Sequence, residues 1–290
     1  MACPVCKSIS TQPFFKTKDF TVSGEVFEIY YCNDCTLMFT SDPPSEAEIG
    51  KYYAAESYIS HSDSNAGLIN KLYHRVRTFT LAQKRKLIIN ETGKVSGDIL
   101  DIGSGTGAFA NEMKNSSWKV TALEPDELAR KNSVYLHNIQ ALPTSDLFNL
   151  DQKFDAITMW HVLEHVYPLH EYVEQIKKIL KPGGRLFIAV PNYKSFDATQ
   201  YGPDWAAWDV PRHLYHFSPQ SMQKLLSIHG FSLLKTKPMW FDSFYVSMLS
   251  EKYKSGKNNL ISAVKTGFLS NLKARKDYNK CSSIIYIIGN

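Results

Sequence analysis

The segment ILDIGSGTG, residues 99–107, decides how the chain is read. An apolar run carries Asp101 near its end, and Gly103, Ser104, Gly105 and Gly107 follow at once. This is the pattern of a buried strand that turns sharply into a helix. Glycines permit a positive φ and let the backbone approach a ligand or a neighbouring element closely. The spacing is GxGxG, not the GxGxxG that cradles a pyrophosphate at a helix N-terminus. An acid two residues before the first glycine suits a ligand bearing an ammonium and a sulfonium better than one bearing phosphates.

Working outward, short apolar runs alternate with amphipathic stretches. DILDI (98–102), KVTAL (119–123), FDAITM (154–159) and GRLFIAV (184–190) are predicted buried strands with helices between them, the rhythm of a parallel doubly wound α/β sheet. FSLLKTKPMW (231–240) and SSIIYII (282–288) are predicted as an antiparallel edge pair. Glu124 closes the second strand 23 residues after Asp101, where a carboxylate can accept hydrogen bonds from both ribose hydroxyls. Upstream, SEAEIGKYY has Ser45 followed three residues later by Glu48, a helix-start signature, and a further helix is expected over about 66–90.

Four of the five cysteines stand at the N-terminus as Cys3-x2-Cys6 and Cys32-x2-Cys35. Two CxxC knuckles each aim two thiolates at one ion and together complete a tetrahedral sulfur site, so a structural zinc ribbon is expected; a redox dithiol needs only one pair. Cys281 stands alone and is expected to be a buried apolar residue. The expected organisation is a zinc ribbon over 1–40, a helical linker or lid over 41–95 and the α/β domain over 96–290.

These motifs resemble the class I S-adenosylmethionine-dependent methyltransferases, and the resemblance spans residues 96–290. FDAITMWHVLEHV (154–166), LKPGGRLFIAVPN (180–192) and HLYHFSPQSMQKLLSIHGF (213–231) resemble the later family motifs in their order. The resemblance implies a Rossmann-like sheet of order 3-2-1-4-5-7-6 that binds S-adenosylmethionine at the strand C-termini. Asp101, Gly103, Ser104, Gly105, Gly107 and Glu124 are the implied cofactor residues, with Leu142 and Trp160 as apolar contacts for the adenine.

For the chemistry, His161 follows the fourth strand, and WDVPRHLYHFS (208–218) supplies His213, Tyr215 and His216. Histidine has the unperturbed pKa best suited to proton abstraction near neutrality, so the catalytic base is expected among these four. Arg212 is expected to bind an acidic group on the acceptor, with Tyr58 and His61 as further substrate contacts. The cysteine-rich start, YYAAESYISH (52–61) and WDVPRHLYHFS resemble bacterial methyltransferases of sugar and glycoconjugate biosynthesis. That implies a small-molecule acceptor, a sugar or glycoconjugate precursor that can carry phosphate. His161-x2-Glu164-His165 resembles the Glu-x2-Glu-His with which ubiquinone-pathway O-methyltransferases bind a divalent ion, with His161 in place of the first Glu. A second metal site is therefore considered there, and a quinone- or phenol-type O-methyltransferase is one alternative. A ribosomal-RNA methyltransferase and a non-catalytic binding protein that keeps the fold are the others.

Bulk properties fit a globular enzyme: 43% hydrophobic, 21% charged, and no window approaching a membrane span, so a cytoplasmic location is expected. The net charge of +5 is unevenly placed, with eight Lys/Arg against three Asp/Glu in residues 241–290. Residues 1–35 hold three Lys against four Asp/Glu, which speaks against nucleic acid as the ribbon's partner and leaves a protein partner open.

Overall fold

The structure, a computed structural model, describes residues 1–53, 68–257 and 259–290, with only the backbone described over 68–74. It opens with three strands, β1 (Thr11–Lys18), β2 (Val26–Cys32) and β3 (Met38–Thr40), paired antiparallel with Thr11 opposite Cys32 and Tyr31 opposite Met38. Asp19 closes the β1–β2 turn: its carboxylate accepts the backbone N–H groups of Thr21 and Ser23 at 3.0 and 2.8 Å.

The two CxxC segments adopt the same backbone fold. The N–H of Lys7 donates to the carbonyl of Cys3 and that of Thr36 to the carbonyl of Cys32, each at 2.9 Å. Lys7 and Thr36 have φ of 61° and 60°, the left-handed turn that brings each second cysteine back beside the first.

Next come α1 (Leu68–Thr92), β4 (Asp98–Ile102), α2 (Ala108–Lys114), β5 (Lys119–Leu123), α3 (Glu127–His137), β6 (Ala141–Leu142), β7 (Phe154–Trp160), α4 (Leu169–Ile179) and β8 (Leu180–Pro191). The chain closes with α5 (Phe196–Tyr201), β9 (Tyr215–His216), α6 (Pro219–Ile228), β10 (Ser232–Pro238), α7 (Asp242–Ser255), α8 (Leu260–Ala274) and β11 (Ser283–Gly289). The large sheet runs β10-β11-β8-β7-β4-β5-β6, which is the order 3-2-1-4-5-7-6 read from the other edge. Here β4 lies parallel between β5 and β7, and β5 is parallel to β6. Ile99, Leu100 and Ile102 of β4 are fully buried, as expected of a strand covered on both faces.

Two predicted elements differ. Ser45 and Glu48 do make the side-chain contact of a helix start, at 2.7 Å, but among the described residues only a short 3-10 turn, Ile49–Tyr53, follows. β9 lies within a stretch read from sequence as a catalytic loop; it pairs with β3 as the fourth strand of the N-terminal sheet, His216 opposite Met38.

Internal packing divides the chain into two compact units, one drawn from residues 1–60, 161–170 and 189–286, the other from 61–160, 171–188 and 287–290. The first is centred on Tyr193, Tyr201, Trp205, Trp208 and Val210 packed on Ile29 and Met38. In the second, Asp155 ties three segments together: its carboxylate accepts the Asp98 N–H and the Lys181 ammonium, both at 2.8 Å, and the Lys94 ammonium.

Candidate active site

Gly103, Gly105 and Gly107 have φ of 72°, 54° and 80°, which a side chain would strain. They serve different ends. A Cβ on Gly107 would come within 3.0 Å of Ser133 Cβ, so this glycine lets the start of α2 pack against α3. A Cβ on Gly105 would meet nothing within 4 Å, so the space beside it is open. Glu124, at the end of β5, accepts the Gly105 N–H on Oε2 at 2.7 Å and the Asp126 N–H on Oε1 at 3.0 Å. Each oxygen keeps a lone pair. Burial raises its pKa, opposed by those two N–H bonds.

Asp101 is wholly buried on β4 and accepts the Thr158 hydroxyl at 2.7 Å. Burial pushes its pKa up to about 7, against the pull of the Thr158 hydroxyl and the Lys84 ammonium. A carboxylate so poorly solvated gains most from a cationic ligand. Ser104 Oγ and Trp160 Nε1 are buried and have no hydrogen-bond partner among the described residues. The Trp160 ring meets Phe109 edge-on with Lys84 Nζ 4.3 Å from its centroid, and Leu142 on β6 is 40% exposed. Orphaned donors, an open glycine face and two carboxylates fit a nucleoside that also carries a cationic amino-acid moiety, as S-adenosylmethionine does.

A second cluster follows Trp160 in the chain. His161, at φ 58°, has Nε2 2.9 Å from Asp242 Oδ2 and Nδ1 3.4 Å from Glu164 Oε1. Burial works against the imidazolium, but the two carboxylates outweigh it and raise the pKa to about 10. At neutral pH His161 is therefore charged and has no lone pair with which to take a proton. Glu164 is fully buried and its Oε1 is ion-paired with His161 at 3.4 Å, a contact too poorly aligned to count as a hydrogen bond, and neither oxygen has another partner among the described residues; burial raises its pKa, and His161 foremost among the neighbouring imidazoles more than reverses that.

His165 Nδ1 lies 3.0 Å from the Arg212 carbonyl and His213 Nδ1 2.9 Å from the Ala207 carbonyl. A carbonyl only accepts, so the His213 Nδ1 carries a proton, while the His165 Nδ1 also has the Tyr53 hydroxyl at 3.2 Å and the His213 Nε2 lies 3.9 Å from Asp209 Oδ2. Burial and the nearby His213 lower His165 to about 4, so it is neutral at physiological pH. Glu164, His165 and His213 each bring one ligand atom within 4.8 Å of the others. This is the convergent set, in place of the His161, Glu164 and His165 expected from sequence, because His161 turns to Asp242.

The other expected acceptor residues are engaged internally. Arg212 is buried, its guanidinium bound by Asp209 at 2.6 Å, Asp19 at 2.9 Å and the Tyr52 carbonyl at 2.8 Å. It acts as an internal counter-ion where a contact to an acidic acceptor group was expected. The Tyr215 hydroxyl donates to the Tyr167 carbonyl at 3.2 Å, and buried His216 has Nε2 3.2 Å from Thr40 Oγ1. Burial holds the His216 pKa well below the usual imidazole range. Tyr58 and His61 lie outside the described residues.

A family profile for a methyltransferase domain matches residues 73–236, more than half of the chain. The chain belongs to that family. It is 23% identical over 203 residues to a ubiquinone biosynthesis O-methyltransferase of Rickettsia typhi, covering 63% of this chain and 80% of that one. To a demethylmenaquinone methyltransferase of Tropheryma whipplei it is 31% identical over 113 residues, covering 37% and 47%. Among solved structures, a SAM-dependent methyltransferase from Archaeoglobus fulgidus superposes with a TM-score of 0.50 at 18% identity, covering 74% of this chain and 94% of that one. The protein is thus an S-adenosylmethionine-dependent methyltransferase on a Rossmann-like fold.

At its N-terminus the methyltransferase brings Cys3 Sγ within 3.5 Å of Cys35 Sγ and Cys6 Sγ within 3.5 Å of Cys32 Sγ, all four sulfurs lying within 4.8 Å of one another. The two matched knuckles and an all-thiol donor set fit one tetrahedral zinc ion. Cys281 is buried, with its Sγ 3.9 Å from the Met239 carbonyl.

Sequence reading missed Thr158, which holds Asp101, and Asp242, which holds His161. Thr158 could have been found, because it sits on a strand predicted to lie beside the first. Asp242 left no local signal, being 81 residues from its partner.

Proposed function

We propose that the methyltransferase methylates an oxygen of a small-molecule acceptor, with a phenol-type hydroxyl as the favoured class. S-adenosylmethionine supplies an electrophilic methyl group. Asp101 takes its ammonium, Glu124 its ribose hydroxyls, and the open face of Gly105 admits it. On the acceptor side, His165 orients the hydroxyl and Glu164 accepts its one proton as the oxygen takes the methyl group and S-adenosylhomocysteine leaves, while the charged His161, held by Asp242, orients the Glu164 carboxylate.

The observation that carries this reading is the buried Glu164 carboxylate, which is paired with the His161 imidazolium at 3.4 Å, has no well-formed hydrogen bond among the described residues, and converges with His165 and His213. A buried polar group left in that state is a place for a ligand's donor. Its low basicity suits a hydroxyl more acidic than that of a sugar, and the quinone-pathway names of the relatives agree. A sugar or glycoconjugate hydroxyl is the second reading, favoured by the N-terminal cysteine module.

The test is single-turnover methyl transfer with Glu164→Gln and His165→Ala, each first shown to bind donor normally. A loss on the order of a hundredfold in at least one supports the assignment, and near-normal rates in both overturn it. Glu164, His165 and His213 also make a donor set that a divalent ion would fit, where it would supply positive charge to an acceptor oxygen. Activity that survives chelation with the ribbon still loaded removes that possibility.

A further inference from the structure

α8 is amphipathic in the reverse of the usual sense. Its inner face is made of small residues, Ala263, Thr266, Gly267, Ser270 and Ala274, all buried. Gly267 is obligatory there, because a Cβ would come within 2.8 Å of the Phe244 ring and 3.0 Å of its Cα. Ser270 donates to the buried Asp197 carboxylate at 2.6 Å, and the Asn271 amide donates to the Trp240 carbonyl at 2.7 Å. The helix is thereby fixed in rotation.

What it leaves outside is a stripe of large apolar side chains at helical spacing, Ile261, Val264, Phe268 and Leu272, with Ile261 85% and Phe268 59% exposed. At its C-terminal end the stripe runs into a cleft of about 450 Å³ lined by Trp240, Phe268, Asn271, Leu272, Arg275 and Tyr278. A contiguous exposed apolar surface of this kind marks an interaction site.

Charge selects the partner. From Gly256 to Asn290 the chain has five Lys and one Arg against a single acid, Asp277. Helical periodicity sets Lys265 along one border of the stripe, and Arg275, the C-cap, stands at its C-terminal end, with Lys257 and Lys276 flanking the helix in sequence. A second copy of this chain would fit badly, since a two-fold interface lays the same basic rim against itself. An apolar stripe rimmed by cations is the pattern of a helix lying in the plane of an anionic membrane surface, lysines at the phosphates and apolar side chains among the upper acyl chains.

We infer that α8 and the cleft at its end form a docking face for an anionic phospholipid bilayer. No described helix is long and apolar enough to cross a membrane, so the attachment is peripheral. The proposal is independent of the acceptor's identity.

The experiment is co-sedimentation of the full chain with vesicles of phosphatidylcholine alone and of phosphatidylcholine containing one third phosphatidylglycerol. Wild-type protein is expected to bind the anionic vesicles at least tenfold more tightly than the neutral ones and to be released by salt. Ile261→Glu/Phe268→Glu should abolish binding, and Lys265→Ser/Arg275→Ser/Lys276→Ser should weaken it on the order of a hundredfold. These side chains are exposed, so unchanged thermal unfolding and donor affinity show that each variant is folded. Absent binding, equal binding to both vesicle types, or wild-type affinity in either variant overturns the proposal. So does a wild-type dimer in sedimentation velocity that Ile261→Glu/Phe268→Glu dissolves, which would make the stripe an interface between copies.

Discussion

Binding of S-adenosylmethionine should weaken about fifteenfold when the pH falls from 7 to about 5.5 in the wild-type protein, and stay flat over that range in Asp101→Asn. Burial raises the Asp101 pKa to about 7, so near neutrality half of the free protein carries it protonated. The donor's ammonium selects the ionised form, so binding releases about half a proton per site at pH 7 and close to one at pH 5.5. The apparent Kd then scales as 1 + 10^(pKa − pH), rising from a factor of about 2 at pH 7 to about 33 at pH 5.5. The donor's own α-amino group titrates at roughly 8 and stays charged throughout this window. The sign for stability is the reverse of that for an ordinary ion-paired aspartate. A carboxyl whose folded pKa is raised contributes stability at low pH, and that contribution is lost as pH rises from its unfolded value near 4 towards 7. Bound donor restores it. Isothermal titration in two buffers of different ionisation enthalpy measures affinity and proton release together. A flat wild-type profile, or an Asp101→Asn protein that keeps the slope, would refute Asp101 as the group that meets the ammonium.

Other perturbations test the remaining parts. Glu124→Ala should cost at least tenfold in donor affinity through lost ribose hydrogen bonds, and Gly105→Val should do the same by filling the open face; calorimetry that finds both unchanged would misplace the pocket. Elemental analysis should find about one zinc ion per chain, bound by Cys3, Cys6, Cys32 and Cys35, with stripping or Cys35→Ser lowering the unfolding temperature; a zinc-free protein of full stability contradicts the ribbon. Asp155→Ala should destabilise the fold by about 2 kcal/mol at neutral pH. Burial opposes its charge, but Lys181, Lys94 and the Asp98 N–H hold its pKa at about 2. That stability is present above an unfolded value near 4 and lost as pH falls towards 2, so acid unfolding followed by circular dichroism should move to higher pH in the variant.

The strands of the large sheet were legible because each is a nearly continuous apolar run between turn residues. DILDI and KVTAL appear at their predicted bounds as β4 and β5. β8 begins at Leu180, four residues before the predicted start, because Lys181 is tied to Asp98 and Asp155, partners that the local Lys-Pro-Gly-Gly pattern does not display. The turn after β4 was legible for the same reason as the strands: its three glycines adopt the positive φ that the local spacing allows them. The histidine cluster was not. His161 and His165 are four residues apart and are driven in opposite directions, to about 10 and about 4, by groups gathered from distant segments. Arg212 reads as a ligand contact until Asp19, 193 residues away, is seen to hold it.

Methyl-labelled S-adenosylmethionine, incubated with the intact protein and a panel of catechols, hydroquinones, nucleotide sugars and lipid-linked sugars, joins the donor loop to the acceptor chemistry in one measurement. Label should pass to a hydroxyl oxygen of a phenolic acceptor, with transfer reduced on the order of a hundredfold in Glu164→Gln. A protein that binds donor normally but labels none of them, or that labels only nitrogen or carbon, would contradict the assignment of this cluster to oxygen methylation.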